Sequence, residues 1–159
     1  MAYELPDDLA GLANDEYVNG LWNSILGHYY FPYPNYTIKP VSRVASVGRA
    51  NVSFAYLVVC DQNGRNKLLF EGKRHSLWPW GISKADAIEQ ATFYARLSDV
   101  RFAIVASNSE VTFLQVDDRG TSVVLVPPGT TFAGWIEVDK ISMVHERLKY
   151  MKMMIEMAH

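Results

Sequence analysis

One cysteine in 159 residues leaves no means of building a disulfide framework. Cys60 stands in the run AYLVVC, where a thiol serves as a small buried hydrophobe in a reducing compartment. Long hydrophobic runs are missing too. No uninterrupted apolar stretch reaches the roughly 20 residues a bilayer demands, so no spanning helix and no membrane partner is expected. The opening MAYELPDDLAGLANDEY carries acids where a leader would carry a basic start and an apolar core. This predicts no signal peptide and an intracellular protein, cytoplasmic or nuclear. A surplus of positive charge is also lacking: 15 Lys and Arg stand against 17 Asp and Glu, a formal charge of -2. That excludes a general phosphate-binding surface and leaves local patches for any nucleic-acid role. The patches are GRNK with GKR (Arg65, Lys67, Lys73, Arg74) and a C-terminal run with Lys140, Arg147, Lys149 and Lys152. His28, His75, His145 and His159 have no metal-ligand spacing. Phosphate loops, nucleophile signatures, internal repeats and low-complexity linkers are absent as well. With 49% hydrophobic residues, a single domain over 1–159 is expected.

What is present is a sequence of well-marked elements. NDEYVNGLWNSILG (14–27) puts Tyr17, Val18, Leu21, Trp22, Ile25 and Leu26 at helical spacing, with Asn14 as N-cap and Gly27 as stop. Prolines in HYYFPYPNY then disfavour any continuation. YTIKPVSRVAS reads as a strand whose Pro40 marks an edge or a bulge. ANVSFAYLVVC and KLLFEGK are strands joined antiparallel through the tight turn DQNGRN. Beyond RHSLWPWGI, Ser83 and Asp86 form a capping pattern for a helix whose packing stripe is Ile88, Ala91 and Ala95. RFAIVAS and VTFLQV flank the turn NSE, SVVLV stops at PPG, and a helix from about Asp139 to Met157 carries Ile141, Val144, Leu148, Met151 and Ile155. Hairpins mixed with a strand-helix-strand crossover place the fold in the α/β (α+β) class, with the crossover parallel and right-handed.

The segment LLFEGKR ends an apolar strand with Glu71 and Lys73. At i and i+2 these two share one sheet face.

Order and residues together resemble the PD-(D/E)XK nuclease superfamily, the restriction-endonuclease-like fold, from the first helix to VTFLQV. The similarity is strongest to its intracellular, restriction-subunit-like members. The resemblance implies a mixed central β-sheet flanked by helices. Glu71 and Lys73 match the family's E-x-K on the second strand of the hairpin. Gln90 and Tyr94 in IEQATFYA match Q-x-x-x-Y, and Glu16 matches an acid kept on the first helix. The catalytic residues so implied are Glu71, Lys73 and Gln90, with Mg²⁺ or Mn²⁺ as cofactor and DNA or RNA as partner. Phosphodiester hydrolysis asks for these types. A divalent cation neutralises the phosphate and lowers the pKa of the attacking water, carboxylates are hard ligands for it, and a lysine steadies developing charge.

The chain departs from the family at R-x-D. GRANVSFAYLVV puts Arg49 at the arginine and Asn51 at the aspartate, with Ser53 as the alternative alignment. The implied ligands become Glu16, Asn51 and Glu71, and an amide in place of a carboxylate holds the ion more weakly. Arg49, Arg74, His75, Trp78 and Trp80 are the candidate contacts to nucleic acid or a partner, the tryptophans as stacking platforms. Two further classes stay open. One is a non-catalytic interaction module that binds a protein partner, or a second copy as a homodimer, through the aromatic loop or the Met-rich C-terminal helix, where Met153 and Met157 lie off the packing stripe. The other is a small-molecule enzyme on an unrelated sheet.

Overall fold

The computed structural model describes residues 15–47, 50–72, 84–107, 109–131 and 134–158. Among them the chain builds a mixed α+β structure, a seven-stranded and mostly antiparallel sheet flanked by three α-helices. Helix α1 (Asp15–Ile25) buries Trp22 and Ile25, and Leu26 continues the same stripe. Gly27 does not end the winding as its sequence suggests. A π-helical turn carries on through Leu26–Tyr30 and closes where Phe31 N–H donates to the Leu26 carbonyl at 2.6 Å, just before Pro32. What Gly27 provides is clearance, because a Cβ there would lie 3.3 Å from Ile38 Cδ1.

Strands β1 (Tyr36–Val47), β2 (Ala50–Asp61) and β3 (Asn66–Gly72) form an antiparallel meander. β1 is an edge strand, which explains how it accommodates Pro40 opposite Leu57. Between β2 and β3 the chain turns on Asp61, whose carboxylate accepts the Asn63 and Arg65 N–H groups, both at 2.9 Å. Those bonds, the Arg65 one foremost, hold the Asp61 carboxyl below its ordinary range. The pairing then slips by one residue between Val59 and Cys60, a bulge beside the turn.

Helix α2 (Lys84–Leu97) leads to β4 (Phe102–Ala106), which lies parallel to β3 with Leu69 beside Ala103 and Glu71 beside Val105. β5 (Glu110–Val116) returns antiparallel to β4. Its outer edge is shared: β6 (Ser122–Val124) pairs with Leu114–Val116, and β7 (Ile136–Glu137), which the sequence pattern does not announce, pairs with Glu110 and Val111. Helix α3 (Ile141–Met157) follows and buries Val144, Leu148, Met151 and Ile155 as their spacing predicts.

The sheet has a packed layer on each side. α1, the π-helical turn and α3 cover Leu57, Leu68, Phe70, Ile104 and Phe113, with the Trp22 ring stacked on Phe70 at 5.2 Å. α2 covers Val58, Leu69, Ala103, Val105 and Leu114, and its contact residues Ala87, Ala91 and Ala95 are small enough to bring the helix close. Strands covered on both faces read as continuous apolar runs, as LLF and FAIVA do. Among the described residues no helix is long and apolar enough to cross a membrane.

Candidate functional site

Alternation along β3 sends Leu68 and Phe70 toward α1 and α3, and Leu69 and Glu71 toward α2. Glu71 is 0% exposed, a rare condition for a carboxylate. It stands at the carboxyl end of the parallel pair β3 and β4, where open sheets with crossover helices place their ligands. The strand end is anchored from the opposite layer: Gly72 N–H donates to Oδ1 of the buried Asn19 on α1 at 3.1 Å.

α2 presents Gln90 and Tyr94 one turn apart on the side facing the sheet. Tyr94 is buried and stacks on Tyr56 of β2 at 4.9 Å, so its part is packing. Gln90 differs. Its Oε1 is buried and has no hydrogen-bond partner among the described residues.

The register continues this polar corner onto β5. Glu71 is level with Val105, and Val105 with Thr112. Thr112 is 1% exposed, and its hydroxyl also lacks a partner among the described residues. Two residues earlier on the same face, Glu110 contacts the ammonium of Lys84, the first residue of α2. The same ammonium lies 5.4 Å from the centre of the Trp135 ring. Directly across the β5–β7 pairing from Glu110 stands a second acid, Glu137. Ser107 closes the turn below, its Oγ accepting Glu110 N–H at 3.1 Å and Ser109 N–H at 3.2 Å. Glu110, Thr112 and Lys84 carry no motif in the sequence that marks them for this corner. Glu110 read as part of the turn NSE, though alternation through EVTFLQV does put Glu110, Thr112, Leu114 and Val116 on one face.

Glu16 lies in the first turn of α1. Asn51 pairs with Ser46, and Ser53 with Val44, in the β1–β2 hairpin. The β2–β3 register reaches only Leu57 opposite Phe70, which leaves Asn51 about 20 Å farther along β2 at roughly 3.3 Å per residue. The sheet therefore does not set Asn51 or Ser53 alongside Glu71. Arg49, Lys73, Arg74, His75, Trp78, Trp80 and the capping residues Asn14 and Ser83 lie outside the described residues.

Basic residues of GRNK line a cleft of about 690 Å³ at the opposite end of the sheet, with Arg101, Phe102 and Ile155. Its charge is largely offset, since Lys67 meets Asp61 at 3.8 Å and Arg101 meets Asp118 at 2.9 Å. Among the described residues no three His, Cys, Asp or Glu side chains gather as a metal cluster, so any cation at the Glu71 corner would also draw on amide and hydroxyl oxygens. No family model, no curated protein and no solved structure matches this chain.

Proposed function

We propose that this chain is a nuclease-like domain of the PD-(D/E)XK type, acting on nucleic-acid phosphodiesters with Mg²⁺ or Mn²⁺ at the carboxyl end of β3. One observation carries the reading. A wholly buried carboxylate, Glu71, ends the hairpin strand on the face covered by α2, and the Gln90 carbonyl of that helix is buried without a partner among the described residues. Hard oxygen donors of this kind suit a small divalent cation that keeps several of its waters, with Glu71 and Gln90 as the residues that would hold it. When bound, such an ion lowers the pKa of a water and neutralises the scissile phosphate. The chain's own contribution is position. Asn19 fixes the end of β3, the Tyr94–Tyr56 stack fixes the face of α2, and the covered corner excludes bulk water. Lys73, two residues past Glu71, is the cation the resemblance assigns to the phosphate.

Asn51 stands where the family carries an acid, so the expected activity is slow. Nicking of supercoiled plasmid and single-stranded DNA in Mn²⁺ is the test. Glu71→Gln should lower the rate by about a hundredfold or more, and nicking that survives this change belongs to another site. A second reading, an interaction module, is favoured by the exposure of Met153 and Met157 on α3 and of Phe93 and Leu97 one turn apart on α2. It predicts a retention volume in size-exclusion chromatography that shifts with concentration or with a protein partner, and is unmoved by metal.

A further inference from the structure

We infer that Glu110 supplies the second carboxylate of the cation site, the one Asn51 does not provide, and that Lys84 is the counter-charge which holds this place until a divalent cation displaces it. The inference rests on the nuclease-like reading of the Glu71 corner and extends it to β5.

Glu110 and Glu137 are cross-strand partners, a juxtaposition in which like charges repel. A fold keeps two opposed carboxylates when a cation joins them, and here the Lys84 ammonium contacts Glu110. The pair lies on the face of the sheet that carries Glu71. Two strand spacings of about 4.8 Å and two residues of about 3.3 Å put the Glu71 and Glu110 Cα atoms about 12 Å apart. Two glutamate side chains, each reaching about 5 Å, can meet at one ion across that span with oxygen distances of about 2.1 Å.

An independent observation points to a ligand between them. Thr112 sits level with Glu71 and two residues from Glu110, and its buried hydroxyl has no partner among the described residues, as Gln90 Oε1 has none. Two orphaned oxygens beside two carboxylates form a hard donor set, while a site meant only for lysine would leave neither orphaned. Among the described residues, Asp61 is held in the distant turn and Glu89 is exposed on α2.

The contact between Lys84 and Glu110 makes two substitutions act in opposite directions. Mn²⁺ binding to the full chain, followed by electron paramagnetic resonance and by the metal-induced rise in melting temperature, should weaken at least tenfold in Glu110→Gln. It should tighten at least threefold in Lys84→Met, whose metal-free melting temperature falls while its rise with Mn²⁺ exceeds that of the wild type. Glu137→Gln, at an exposed position, should weaken binding less and serves if Glu110→Gln folds poorly. Wild-type affinity in both Glu110→Gln and Glu137→Gln, with Glu71→Gln weakened, overturns the role of Glu110 and leaves the nuclease-like reading standing. No Mn²⁺ binding by the wild type overturns both.

Discussion

His145 meets Tyr30 at 2.5 Å where α3 crosses the π-helical turn. Burial raises the Tyr30 hydroxyl well above its usual range and lowers the His145 imidazole below 6.5, the latter helped by neighbouring positive charge that includes Lys149 and opposed by Glu146. A base whose folded pKa is lowered binds its proton more readily when unfolded. Stability from this contact is therefore complete above about pH 6.5 and declines as pH falls through the unfolded value toward the folded one. Urea titrations should show the wild type losing more stability between pH 7.5 and 5.5 than His145→Gln does. Equal losses would mean that His145 is not the group responsible. Glu71 poses the complementary question at the same scale: its identity is legible in LLFEGKR, its complete burial is not, because burial depends on α2 arriving from beyond the strand.

The β2–β3 and β5–β6 hairpin turns are built alike. Asp61 accepts the Asn63 and Arg65 N–H groups, Asp117 accepts those of Arg119 and Thr121, all at 2.9 Å, and the fourth residue of each turn is a glycine at φ +78 or +79. The pattern D-x-x-G-x thus encodes one turn twice, and it is readable because the glycine must adopt a left-handed conformation. Gly64→Ala meets nothing within 4 Å, so its cost should be backbone strain alone, about 1–2 kcal/mol. Gly120→Ala adds a Cβ 2.5 Å from Arg96 Cδ. That side chain is exposed and can swing aside, so the measured cost should be close to that of Gly64→Ala. Adding Arg96→Ala should recover only a small part of it; full recovery in denaturant titrations would show that the clash, not the conformation, is what matters. Gly27 is the contrasting element. It carries the same residue type as a helix stop, yet the winding passes through it, and only the neighbouring strand explains its presence.

At the scale of the whole molecule, the order of elements, the β2–β3 hairpin and the parallel β3–α2–β4 crossover follow from periodicity and turn chemistry, both of which are local. What is not local could not be read in the same way. β7 is two residues long and exists only because β5 offers it an edge. Glu110 and Thr112 join the Glu71 corner through sheet register, across dozens of intervening residues, and the distance of Asn51 from that corner is likewise a matter of register. Register also sets how the sheet meets the outside. β6 and β7 divide the outer edge of β5 between them in short pieces, whereas β1 runs unbroken from Tyr36 to Val47 and, among the described residues, has β2 on one side alone. A long edge with no partner strand among the described residues can recruit a strand from a neighbouring molecule and seed fibrils. Pro40 interrupts it by withholding one donor. Pro40→Val should accordingly shorten the lag before thioflavin-positive aggregates form, at unchanged thermal stability, which would identify this proline as a guard on colloidal behaviour rather than a defect in the strand.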